Sequence, residues 1–224
     1  YIRINWKKIF KTIPLETFYF YTILYLGIIP LIILLFRKKA LDFKEPIVPF
    51  IWITAIASIY EILNTKVFLV NASYWFQIYP LLEIIGLYFF FSKVFKEKHK
   101  SVIKLFVIIL LIIYSSSFLL WNSYINLQSH SLNKSFITLF VLLGCFTWFK
   151  NLFKNIEVEN LWSLPSFYFI SAFFMYYSST ILLFSLGNFI YSSKEMFDLW
   201  WVNLLASLIL RILLTIGTWK MKFK

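Results

Sequence analysis

Residues 102–121 read VIKLFVIILLIIYSSSFLLW. A single lysine, near the start, interrupts this run, and nothing in it alternates between apolar and polar positions. A membrane β-strand would show a period of two over about ten residues. An unbroken apolar stretch of about 20 residues is instead what an α-helix needs to cross a hydrocarbon core of ~30 Å. LGIIPLIILLF at 26–36 repeats the pattern. Working outward from 102–121, comparable runs at 17–36, 48–65, 74–92, 135–153, 163–186 and 198–219 bring the expectation to seven transmembrane helices. The fold class expected is an all-α integral membrane protein.

Composition agrees. Of 224 residues, 61% are hydrophobic, above the roughly 45–50% of soluble chains. Aromatics make up 22%, many of them near span ends, where Trp and Tyr favour the headgroup level. The net charge is +12, but the basic residues cluster between apolar runs, so membrane topology accounts for them and nucleic acid is not an expected partner. Cys145 is the only cysteine, so one chain can build neither a disulfide framework nor a cysteine-based zinc site. His99 and His130 read as loop residues without metal-ligand spacing. No metal, cofactor or catalytic residue is expected.

The connections between runs are short, leaving no room for a second domain. Residues 1–16, basic and aromatic, read as an amphipathic segment lying on the headgroups; 17–219 form the seven-helix domain; 220–224 are a basic tail. Connections 1–2, 3–4, 5–6 and the C-terminus hold fourteen Lys and Arg against seven on the other side. Positive residues favour the cytoplasm, which predicts an outside N-terminus and a cytoplasmic C-terminus. The expected location is a bacterial cytoplasmic (inner) membrane, multi-pass, with lipid as a partner.

Glu61, Glu83 and Arg211 are ionisable residues inside otherwise apolar runs. Charge at bilayer depth is expensive and normally faces a bundle interior, a partner or a pathway. Thr54, Ser58, Glu61 and Thr65 form one stripe of the second helix, with Asn64 beside it. Tyr79, Glu83 and Gly86 form one on the third, with Gln77 near its outer end. Pro80 removes a backbone donor there and exposes a carbonyl to neighbouring helices. The seventh helix has Trp200, Asn203, Ser207, Arg211, Thr215 and Thr218. From depth along the helices, Glu83 and Arg211 are expected to pair beneath a polar pocket. The expected intramembrane core is Glu61, Asn64, Gln77, Tyr79, Glu83, Asn203, Ser207 and Arg211.

Four pieces recur in order: Glu61 with Asn64; Trp75, Gln77, Ile78, Tyr79 and Glu83; Pro165 through Ser171; and Arg211 through Trp219. This order resembles a group of uncharacterised seven-helix inner-membrane proteins common in Bacteroidetes-type bacteria, in which the position of Gln77 is often His. The resemblance implies an integral membrane protein accompanying two-component signalling and implies no established activity. A retinal pigment is not expected, because Arg211 stands where mid-helix seven would need a lysine.

The function expected is a sensor or receptor-like module that binds a small molecule and signals through a protein partner. The alternative is a small-solute or ion-coupled carrier of 3+1+3 helix type. An intramembrane enzyme is the weakest reading, since Glu61 has no paired catalytic group in the sequence and no nucleophile motif exists.

Overall fold

Long apolar runs without water must satisfy every backbone N–H and C=O internally, and the helix does so within one segment. The computed structural model describes residues 14–64, 73–95, 97–121, 127–154, 160–186 and 196–222. Among these the chain is mostly helical, with turns in the connections and no strand. The described residues hold seven α-helices: α1 (Pro14–Phe36), α2 (Val48–Leu63), α3 (Ser73–Val94), α4 (Glu97–Ser117), α5 (Leu127–Lys154), α6 (Pro165–Ser185) and α7 (Met196–Lys220). Six are long and apolar enough to cross a membrane, as in a multi-pass membrane protein. The exception is α2, whose 16 residues extend ~24 Å, short of a ~30 Å core. The expected span 48–65 is therefore shorter, among the described residues, than the sequence suggested. The expected headgroup segment falls mostly on residues outside the described set, while Pro14 already begins α1.

Helix ends follow local chemistry. Pro165 opens α6 and Pro49 lies in the first turn of α2, where a missing N–H costs nothing. The C-terminus of α1 closes with Lys39 N–H on the Leu34 carbonyl at 2.8 Å and Lys38 N–H on Leu35 at 2.9 Å. Lys38 holds φ 54°, the left-handed position usually given to glycine. Arg37 then reaches α7 and donates to the carbonyls of Trp219 at 2.8 Å and Met221 at 2.9 Å. A cation on orphan C-terminal carbonyls caps the helix and complements its dipole.

Contacts between elements close a ring of six helices in the order α1, α2, α3, α5, α6, α7 and back to α1. The seventh, α4, packs outside this ring against α3 and α5. Its Leu105, Ile108 and Ile112 face outward and are more than half exposed, as a lipid-facing surface would be. Helix directions alternate. Ser117 at the end of α4 meets Gln77 and Asn133 near the starts of α3 and α5, so α4 is antiparallel to both.

The two ends of the bundle differ. Where α2 and α6 start and α3 finishes, phenylalanines interlock. Phe173 lies 4.8 Å from Phe50 and 5.0 Å from Phe90, both edge to face, and Phe91 meets Phe140 at 5.5 Å. Each such pair contributes roughly 0.5–1.5 kcal/mol beyond area burial. The opposite end, where α2 and α6 finish, holds the polar groups.

Candidate functional site

At that polar end, six helices enclose a cavity of about 140 Å³. From α1 come Phe20, Ile23 and Leu24; from α2, Thr54 and Glu61; from α3, Trp75, Tyr79 and Glu83. His130 and Lys134 enter from α5, Tyr176 and Phe184 from α6, and Asn203, Ser207 and Arg211 from α7. Because α4 lies outside the ring, it contributes nothing. The lining from α1, α3 and α5 comes from their first halves and that of Glu61 and Phe184 from helix ends, so α2 and α6 run opposite to the odd-numbered helices.

The structure corrects the expected ion pair. Glu83 does not pair with Arg211. Its Oε1 accepts from Lys134 Nζ at 2.7 Å, with 1% and 3% of the two side chains exposed. The Tyr177 hydroxyl donates to the same oxygen at 2.6 Å. Lys134 also sits among three rings, 4.9 Å from the centre of Tyr79, 5.5 Å from Phe184 and 5.8 Å from Tyr176. An ammonium over aromatic faces gains cation–π attraction, and more so where water is excluded. One carboxylate and three rings thus balance a lysine that hydrocarbon alone would not tolerate, and Tyr177 in turn supports the carboxylate.

Lys134 escaped the sequence reading because the fifth helix was expected to begin at 135. It begins at Leu127, and Ser129, His130, Ser131, Asn133 and Lys134 are all buried. A signal was present: His130, Lys134, Thr138, Val141 and Cys145 follow helical spacing and share the buried stripe. Likewise His99 and His130 are helical, not loop, residues.

His130 illustrates how proline shapes the site. Pro80 lies inside α3 and has no N–H to give the Phe76 carbonyl four residues earlier. His130 Nδ1 takes that carbonyl at 3.0 Å. A carbonyl only accepts, so Nδ1 carries the proton. The imidazole ring also packs 5.0 Å from Phe76 and 5.7 Å from Phe184. Nearby, the Ser131 hydroxyl donates to the Phe184 carbonyl, tying α5 to the end of α6.

Arg211 has a different partner from the one expected. Its Nη1 donates to the Ile23 carbonyl of α1. Gly27, one turn further along α1, makes this approach feasible. A Cβ there would strike the Ser58 hydroxyl and stand 3.1 Å from the guanidinium carbon of Arg211. Arg211 and Glu61 lie across the same cavity and attract one another, and Lys134 also attracts Glu61.

Two expected site residues lie elsewhere. Gln77 points away from the cavity, between α3, α4 and α5. It donates to Ser117 at 3.1 Å and accepts from Ser129 at 2.6 Å, while Asn133 donates to Ser117 at 2.9 Å. Trp75, Tyr79 and Glu83 fall at spacing four on the cavity face, and Gln77, two residues from both Trp75 and Tyr79, lies about half a turn around α3 on the other face. Asn64 closes α2, its N–H on the carbonyls of Tyr60 and Glu61, and does not line the cavity. Glu61, Tyr79, Glu83, Asn203, Ser207 and Arg211 do line it. Several polar stripe residues satisfy themselves within their own helices: Thr54 donates to Phe50, Ser58 to Thr54, and Thr215 to Arg211, each four residues back.

Among the described residues no cluster of three His, Cys, Asp or Glu could hold a metal ion. No protein-family model, curated protein or solved structure matches this chain, so the resemblance to seven-helix inner-membrane proteins rests on its short motifs.

Proposed function

We propose that this chain is a membrane sensor or receptor-like module whose cavity binds a small polar molecule arriving from outside the cell. The observation that carries the reading is one cavity of about 140 Å³ into which six helices send both signs of charge and several aromatic faces. Polar groups at this depth are costly unless used, and concave sites with few convergent polar groups in aromatic walls are the usual form of ligand pockets. In this reading the N-terminus is outside, the C-terminus is cytoplasmic, and the membrane is the bacterial inner membrane. The phenylalanine-packed end then faces the cytoplasm. Ligand binding shifts the helices around that packing, and a signalling protein reads the shift at the basic inner surface.

The inner surface already spends part of its charge on structure. Lys93 Nζ donates to the carbonyls of Phe43 at 2.6 Å and Lys44 at 3.0 Å, and Lys220 donates to Trp162 at 2.9 Å. The basic inner surface as a whole would meet anionic lipid or the partner.

The helix ring supports the carrier as a second reading. In the ring order α1, α2 and α3 are followed by α5, α6 and α7, the order two consecutive three-helix units would take, with α4 as the linker. Parallel three-helix repeats around a midplane site are a known plan for transport.

The test uses protein in lipid nanodiscs, incubated with a mixture of amino acids, sugars, polyamines, dicarboxylates and nucleosides, and examined by native mass spectrometry. A retained solute that is lost in Ser207→Trp supports a ligand cavity; no retained solute, or one that survives this change, contradicts it. Counterflow of the retained solute into proteoliposomes would select the carrier, and its absence the sensor.

A further inference from the structure

The cavity is balanced in charge but not in hydrogen bonding. Among the described residues, Glu61, Glu83, Lys134 and Arg211 line it, two of each sign. A ligand of net charge would leave an uncompensated ion at bilayer depth, so a net-neutral solute is favoured. The hydrogen bonding then separates two neutral classes. Both donors on Glu83, from Lys134 and Tyr177, converge on Oε1, and Oε2 has no hydrogen-bond partner among the described residues although the side chain is 1% exposed. Asn203 Oδ1 is also buried without a partner among those residues. These are unmet acceptors. Arg211 is the opposite: a guanidinium has five N–H donors and no acceptor, and Nη1 alone takes the Ile23 carbonyl.

We propose that the cavity takes a small zwitterion of the amino-acid class, with its ammonium at Glu83 Oε2 and Asn203 Oδ1 and its carboxylate on Arg211. An ammonium only donates and a carboxylate only accepts, which matches an acceptor end and a donor end. A sugar hydroxyl does both and would leave half its capacity unused at each end. The aromatic walls, Trp75 and Phe20 among them, take the apolar side chain. The inference rests on the cavity being a ligand site.

The test is calorimetric titration of the full chain in nanodiscs with the common L-α-amino acids. For any that binds, the amine lacking its carboxylate and the acid lacking its amino group follow. The account expects at least one amino acid to bind with Kd below about 1 mM, and both truncated probes to bind at least about tenfold more weakly. Arg211→Gln and Asn203→Leu should each weaken binding by about tenfold, and Asn203→Leu leaves every charge in place, so folding is preserved. No amino acid binding overturns the proposal. If a sugar or polyamine from the mixture above binds instead, only the ligand class is wrong. If nothing in the mixture binds, the ligand cavity itself is refuted. Equal binding of an amine and its amino acid removes Arg211 from the site and also overturns the proposal.

Discussion

Lys134→Met strands a carboxylate. In the native protein Glu83 and Lys134 are 2.7 Å apart and almost wholly buried, so neither can turn to water when its partner is removed. Breaking a buried pair from one side costs about 3–5 kcal/mol, because the remaining charge keeps its desolvation penalty and loses its compensation. Tyr177 still donates to Glu83 and holds the loss toward the lower end of that range. Glu83→Met has the mirror effect, leaving an ammonium among three rings. Glu83→Met with Lys134→Met removes both charges at similar volume and should cost less than the two single changes together. The resulting coupling energy is about 3 kcal/mol, more than a hundredfold in the folding equilibrium. Reversible unfolding in mixed micelles, titrated with a denaturing detergent, measures all four corners of this cycle. Additivity within about 0.5 kcal/mol would refute the pairing. The same cycle on Glu83 and Arg211 should show coupling below about 1 kcal/mol, because Arg211 bonds the Ile23 carbonyl instead.

Gly27→Ala should destabilise by about 1–3 kcal/mol, as overpacking does, and Ser58→Ala in the same chain should recover much of this by removing the hydroxyl that the new Cβ strikes; thermal unfolding in detergent reads both. Arg37→Gln uncaps α7 and should cost about 1–2 kcal/mol in the same assay, with faster hydrogen exchange confined to the last turn around Trp219. The Cys145 thiol is fully buried and lies 3.7 Å from the Ile170 carbonyl, so maleimide should modify it only after unfolding; fast labelling of the native protein would contradict the packing of α5 on α6.

Hydrophobic run length located the helices because the bilayer imposes one length on every span. It set the start of α2 and α6 within two residues, and the end of α1 at the basic Arg37–Lys39 cluster. It failed at the start of α5, where helix continues through SHSLNK upstream of the apolar run. Polar residues normally signal a loop at a membrane edge, but these are buried against α3, α4 and α6, and only contacts between helices reveal that. That one displacement hid Lys134, and without it Arg211 was the only cation at the right depth for Glu83. Polar stripes on α2, α3 and α7 were legible from spacing alone. Which stripe residues met across the bundle was not, because ring order depends on packing between distant segments. Gln77 shows the limit: a polar residue near Glu83 in sequence, it faces the other side of α3 and closes a separate cluster with Ser117 and Ser129.

The central claim is a polar cavity that meets the outside and stops at interlocked phenylalanines. Changing Cys145 to alanine makes the chain cysteine-free. In that background Ser207→Cys places a thiol on the cavity wall and Phe173→Cys places one in the aromatic packing. A small membrane-impermeant methanethiosulfonate added to intact cells should modify Ser207→Cys and leave Phe173→Cys untouched. Protection of Ser207→Cys from the outside, with modification only from the cytoplasmic face, would contradict the account.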